Sequence, residues 1–253
     1  MAARDSDLFE FLLRLGDNCL ILGHRVSEWC GHAPVLEEDI ALANTALDLI
    51  GQANLWLGLA GDVEGKGRSA DDLAYLRDAW DFRNLLLVER PNGDFGATLM
   101  RQFLFDAWHV EMLQALCGSA DGRVAEIAGK SVKEADYHLE RSSDLVIRLG
   151  DGTDESHRRM QRALDHLWPY VGEMFVDDAV DKALAEEGIT VLPGALRDAW
   201  DARIGAVLLQ ATLEQPSDTF AQLGGRTGRH TEHLGYILAE MQFLQRAYPG
   251  ARW

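Results

Sequence analysis

The sequence predicts an all-α protein, an up-and-down helical bundle with additional helices, and three observations carry that expectation. Over long stretches the apolar residues recur every three or four positions, the period of an amphipathic helix. No alternating strand pattern persists anywhere. Turn-forming residues, with only six prolines in the whole chain, gather between those stretches and divide them. A chain of 253 residues, 47% hydrophobic and 26% charged, can bury one large core. With no low-complexity linker and no repeat of fixed period, residues 1–253 are expected to form a single domain.

Taken in order, the first helix is expected from about Leu8 to Cys30, with Leu8, Leu12, Leu15, Cys19, Leu22 and Val26 on one stripe. Gly31 to Pro34 breaks it. The second, Leu36 to Leu59, opens with Glu37, Glu38 and Asp39, acids that suit the positive end of a helix dipole, and Gly61 to Gly67 closes it. A short helix over Asp71 to Ala79 precedes the turn Pro91-Asn92-Gly93. Long helices follow over Phe95 to Leu116, Arg123 to Leu149 and Glu155 to Phe175. Shorter pieces are expected over Ala179 to Glu187, over Pro193 to Leu213 with its proline at the start, and over Glu232 to Tyr248. Helices of this length joined by short connections make a bundle.

The formal net charge of −17 makes the average surface repel phosphate backbones and anionic membranes, so nucleic acid is not an expected partner. Cys19, Cys30 and Cys117 are odd in number and lack CxxC spacing, which fits reduced thiols in the cytosol rather than a disulfide framework or a zinc knuckle. Met1 to Asp7 carries Arg4, Asp5 and Asp7, unlike the basic-then-apolar order of a secretory signal. No run of about 18 uncharged apolar residues offers a membrane span.

A carboxylate-bridged di-iron bundle takes one carboxylate from each of two helices and a Glu-x-x-His pair from each of the other two. No histidine here has a glutamate three residues before it. Ile21, Trp29, Asp106, Ala135, Asp154, Ala163, Thr227 and His230 precede the eight histidines at that spacing. Asp106 and His109 share a helix face and could hold one metal ion, and so could Glu134 and His138, but a hydrogen-bonded core pair is the more economical role for each. Asp154-x-x-His157 lies beside a glycine turn, where an aspartate is expected to cap a helix. His230-x-x-His233 matches a zinc spacing with too few ligands, and capping of the last helix is the expected role. The loop Gly224 to Arg229 has flexible amides and two cations that could cradle phosphate. It lacks the preceding strand of a phosphate loop, so a surface connection is expected. There is no G-x-S-x-G. Trp29, Trp56, Trp80, Trp108, Trp168 and Trp200 are expected to pack in the core or an interface.

Ordered blocks along the chain carry a resemblance. They are Leu15-Gly-Asp-Asn-Cys-Leu20, Glu28-Trp-Cys-Gly-His-Ala-Pro34, ALANTALDLIGQA over Ala41 to Ala53, Asn84-Leu-Leu-Leu-Val-Glu89 and Pro91-Asn-Gly93. Asp106-Ala-Trp-His109, Lys133-Glu-Ala-Asp-Tyr-His138 and His230-Thr-Glu-His-Leu-Gly235 continue the series to Trp253. Together these resemble the C subunits of bacterial phenylacetyl-CoA oxygenases over essentially the whole chain.

The resemblance implies a ferritin-like four-helix bundle with additional helices. It implies a cytoplasmic, structural subunit of a multicomponent monooxygenase that epoxidises the aromatic ring of phenylacetyl-CoA in phenylacetate catabolism. In that family a related A subunit holds the di-iron site, a bridging B subunit joins the pairs that A and C make, and a reductase with FAD and an iron-sulfur cluster delivers electrons from NADPH. The C subunit is a degenerate copy of the A fold, so this chain is expected to hold no cofactor and no catalytic residue of its own. With the catalytic chain as guide, the first carboxylate position falls at or near Cys19 and the first Glu-x-x-His becomes Leu49-x-x-Gln52. Asp106 keeps a carboxylate on the third helix, and the last pair becomes Ala135-x-x-His138. A vestigial, metal-free site is expected, with Asp106 satisfied by His109, His138 or a nearby cation. Two other readings stay open: an active di-iron oxygenase using Asp106, His109, Glu134 and His138, and a standalone acyl-CoA-binding helical protein. Without its partner the chain could also pair with itself through the same apolar face.

Overall fold

The computed structural model describes residues 3–217 and 220–251. Trp253, where the resemblance ends, lies outside the described residues, as do Met1 and Ala2 of the expected N-terminal reading. The described residues form ten α-helices: α1 (Ala3–Ser27), α2 (Leu36–Glu64), α3 (Ala70–Tyr75), α4 (Phe95–Leu116), α5 (Gly122–Gly150), α6 (Asp154–Leu167), α7 (Ala179–Glu186), α8 (Arg197–Gln210), α9 (Glu232–Met241) and α10 (Phe243–Ala247). No strand occurs among them.

The helices end where local chemistry ends them. Gly65 closes α2 in the left-handed region at φ 70°, its N–H reaching the Gly61 carbonyl. Asp94 starts α4 by accepting from the Ala97 N–H at 2.9 Å, and Asp121 starts α5 by accepting from the Arg123 N–H at 3.0 Å. Thr153, not Asp154, caps α6, in a reciprocal pair with Ser156, so Asp154 sits in the first turn. The expected helix to Phe175 stops at Leu167 because Pro169 has no N–H to continue it, and two 3-10 turns, Trp168–Tyr170 and Gly172–Phe175, follow. The Pro193 piece likewise begins as a 3-10 turn before α8.

The chain folds into two compact units, Met1–Pro91 with Gly224–Trp253, and Asn92–Leu223. In the first, α1 and α2 form a long antiparallel hairpin: Gly16 faces Leu57, Cys19 faces Gln52 and Gly23 faces Ala46, Leu49 and Ile50. At Gly16 the two helices are so close that a Cβ would lie 2.7 Å from Leu57 Cγ. The expected α1 stripe is buried, but so are Phe11, Asp17, Asn18 and Ile21 on other sides. The helix is therefore enclosed all round rather than amphipathic.

In the second unit α4 and α5 make the corresponding antiparallel pair, with Ser142 against Asp106. α4 is buried over nearly its whole length, including Arg101, Gln102, Asp106 and His109. The Trp200 indole on α8 donates to the Leu104 carbonyl at 3.1 Å, tying α8 to α4. Trp56, Trp108, Trp168 and Trp200 are core residues, whereas Trp80 is 74% exposed, against the expectation for it.

Candidate functional site

In the first unit, three of the positions that the resemblance equates with metal ligands lie on the facing sides of α1 and α2. Cys19 is buried, and its thiol is 3.8 Å from the Gln52 side-chain oxygen, an S–H···O contact between two neutral groups. Leu49 is fully buried and has no donor atom. A one-turn offset on α2 thus places a hydrocarbon and a neutral amide where a di-iron site would need a carboxylate and an imidazole.

In the second unit Asp106, Ala135 and His138 lie on α4 and α5, all buried. The Asp106 carboxylate accepts from Gln102 Nε2 at 2.6 Å, one turn earlier on α4, and from the Ser142 hydroxyl at 2.9 Å on α5. Burial pushes its carboxyl up to about 6, and the opposing influences are the His138 ring, the two hydrogen bonds and the Arg141 charge. The expected partners were His109, His138 or a cation. His138 and Arg141 do act on Asp106 through space, but the hydrogen bonds come from Gln102 and Ser142. Gln102 was legible as an i,i+4 neighbour of Asp106, whereas Ser142 comes from another helix and left no local signal.

His109, three residues beyond Asp106, is also buried. Its ring packs against Phe105 with centroids 5.0 Å apart and stacks with Trp108 at 6.4 Å. Burial, then the neighbouring His138, lowers its pKa to about 3, so it is a neutral ring at any physiological pH. Among the described residues, no group of three or more His, Cys, Asp or Glu side chains is gathered as a metal site would require. Each iron ion brings at least two positive charges, and neither unit's donors fit it: Cys19 with Gln52 offers a thiol and a neutral amide, and Asp106 with His138 offers a carboxylate already bonded twice and an imidazole.

The other sequence candidates resolve into structural roles. His230 does not cap the last helix; Thr231 holds the N-cap position of α9. The His230 Nδ1 instead lies 2.8 Å from Glu89 Oε2 and its Nε2 lies 3.0 Å from the Phe82 carbonyl. Two acceptors on one ring require both nitrogens to donate, hence an imidazolium. Burial alone would lower the His230 pKa, but the Glu89 bond and charge, with the Phe82 carbonyl, outweigh it and raise it. Glu89 is fully buried and also accepts from Asn84 Nδ2 at 2.9 Å, from the Thr231 N–H at 2.6 Å and from the Thr231 hydroxyl at 2.7 Å.

The loop Gly224 to Arg229 is no phosphate cradle. Three of its amides are spent inside the loop, Thr227 N and Arg229 N on the Gly224 carbonyl and Gly228 N on that of Gly225. Nor is it a mere surface connection, because Gly225 is buried against the Asn84 carbonyl, where a Cβ would lie 2.1 Å from that oxygen. His157 meets the Gly150 carbonyl at 2.8 Å.

Long paired helices with polar groups buried between them make this an all-α helical protein. The chain belongs to the family described as phenylacetic acid catabolic protein, whose sequence model matches residues 1–253. Its fold is the all-α, ferritin-like one of that family. Among curated proteins it is 51% identical over 248 residues, 98% of this chain and 100% of the relative, to the C subunit of 1,2-phenylacetyl-CoA epoxidase from Escherichia coli (strain K12). Among the described residues no helix is long and apolar enough to cross a membrane.

Proposed function

We propose that this chain is the structural, non-catalytic subunit of a multicomponent phenylacetyl-CoA epoxidase and pairs with the di-iron catalytic A subunit in aerobic phenylacetate catabolism. The observation that carries this reading is the chemistry at the ligand positions. Leu49 and Ala135 have no donor atom, Gln52 is a neutral amide facing Cys19, and the one carboxylate, Asp106, is engaged by Gln102 and Ser142. Its likeness to a relative named as the C subunit of such an epoxidase supports the same reading.

On this reading the iron belongs to the A subunit. FAD, the iron-sulfur cluster and NADPH belong to the reductase, and the bridging B subunit joins the pairs. The chain is cytoplasmic, and its two compact units contribute packing surface. Its part in the rate is indirect, since a misplacement of about 1 Å in a reacting group can cost roughly a hundredfold.

The test is co-expression with the catalytic subunit, separation of the chains and iron counting on each. Iron on the catalytic chain alone is expected. Stoichiometric iron on this chain expressed singly, with turnover of phenylacetyl-CoA, would overturn the reading in favour of an active oxygenase using Asp106, His109, Glu134 and His138. Tight binding of phenylacetyl-CoA by the isolated chain would favour an acyl-CoA-binding module.

A further inference from the structure

The two longest helices, α2 and α5, have 29 residues each and opposite surfaces. The exposed side of α5 carries Arg123, Glu126, Lys130, Lys133, Asp136, Glu140, Asp144 and Arg148, a solvated charged face with Tyr137 as its one large apolar side chain. On α2, apart from Glu37 and Asp62 near its ends, the exposed positions are Leu36, Ile40, Asn44, Leu47, Gly51 and Asn54, spaced by three or four and so on one side, with Gly58 continuing the row half-exposed. Leu36 is 71%, Ile40 53% and Leu47 68% exposed. Between Ile40 and Gly58 the only charged residue is Asp48, which lies off the centre of this row and is half-buried.

Large apolar side chains left in water along an uncharged row of this length are costly for a monomer and usual for an interface. Cβ atoms built at Gly51 and Gly58 meet nothing within 4 Å, so the row alternates ridges with open notches that a neighbouring helix could fill with its own side chains. Its exposed charges lie near the ends, Glu37 beside Leu36 and Asp62 beyond Gly58, both acidic.

We infer that the outward face of α2 is the seat of the partner subunit, taken up by an uncharged apolar helix face of that partner flanked by basic residues. The inference rests on the reading proposed above and adds the surface to it. Charge decides between the partner and a second copy of this chain. Packed antiparallel, two α2 helices would set Glu37 against Asp62, and packed parallel they would set each acid against itself. In either case two chains of net charge −17 are brought together. A partner with cations at the ends of its stripe removes that repulsion.

The test uses the full chain and the catalytic subunit, with affinity measured for the native protein and for Leu47→Glu, Asn44→Lys and, as control, Lys133→Glu on α5. All three positions are exposed, and circular dichroism checks that each variant is folded, Asn44→Lys standing in should Leu47→Glu not fold. A charge placed in a desolvated apolar seat should weaken binding at least about 30-fold, whereas Lys133→Glu should change it less than about threefold. If the native chain binds its partner and the two α2 variants bind equally well, the surface is wrong and the proposed function stands. If the native chain shows no binding to the catalytic subunit, the proposed function fails and this inference falls with it. If the isolated chain is a dimer that Leu47→Glu splits into monomers, the occupant is a second copy and the inference is overturned.

Discussion

Ser142 on α5 donates its hydroxyl to the buried carboxylate of Asp106 on α4 at 2.9 Å, so the one acid retained at the ligand positions is held by neutral donors across the hairpin of the second unit. Removing that hydroxyl leaves a buried acceptor short of a donor. Ser142→Ala should cost about 1–3 kcal/mol in urea unfolding, well above the cost of the lost atom as packing.

Asp106 and His109 pull acid stability in opposite directions. The Asp106 carboxyl titrates at about 6 in the fold against 3.8 as its ordinary value, so the folded state binds the proton more tightly. Stability from this group therefore rises as pH falls from 6 to 4, by about 3 kcal/mol at most. His109 titrates at about 3 against 6.5, so the unfolded state takes its proton first, and stability falls by about 3 kcal/mol over the same interval. The opposed slopes largely cancel in the native chain. Asp106→Asn should steepen the loss of stability between pH 6 and 4, and His109→Gln should reduce or reverse it, both read from urea midpoints at successive pH values.

Glu89 and His230 form an ion pair whose acid accepts from four donors: the Asn84 amide, the Thr231 amide and hydroxyl, and the imidazolium itself. The His230 pKa is raised, so its contribution is complete below 6.5 and is lost as pH rises through the folded value. In Glu89→Gln the His230 ring should titrate lower by NMR, since burial then dominates. The variant should also lose about 3–5 kcal/mol at about pH 6, the cost of breaking a buried pair.

Arg77 forms a bidentate pair with buried Asp17 of α1, and the Arg83 N–H adds a third donor to the same carboxylate at 2.8 Å. The guanidinium also sits 4.3 Å over the Phe82 ring. Asp17→Ala strands a buried cation and should cost about 3–5 kcal/mol, whereas the double change Asp17→Leu with Arg77→Met should recover much of that loss in thermal unfolding.

Gly225 has the closest backbone approach of the C-terminal loop. Gly225→Ala requires the Asn84 segment to move away from a Cβ at 2.1 Å, so faster amide exchange at Thr231 and protease sensitivity around residue 224 are expected, while the helical content of α4 and α5 is unchanged.

The long helices were readable because their apolar period runs for many turns. The boundaries expected for α4 coincide with those found, and α5 differs by one residue at each end. The misses have local causes. Pro169 ended α6 early, and the interruption at Gln242 split the expected Glu232 to Tyr248 helix into α9 and α10. At the site, the absence of any Glu-x-x-His was legible from spacing alone, whereas the Gln102 to Asp106 pair was missed although its i,i+4 spacing offered a signal. The Ser142 bond and the Glu89 to His230 pair were not legible, because partners 36 and 141 residues apart meet only through the tertiary fold. The exposed Trp80 breaks the usual link between tryptophan and core, and nothing in its neighbouring residues marked it.

The first unit is discontinuous in sequence, leaving at Pro91 and resuming at Gly224, with Glu89 waiting for His230 and Thr231. On the ribosome this imposes an order. The hairpin of α1 and α2 and the segment that bears Glu89 are made first, with only Asn84 of its side-chain donors in place, the whole second unit emerges next, and only the last stretch of chain supplies the cation. A chain truncated before residue 230 should thus be a client for chaperones in a way that the full-length chain is not.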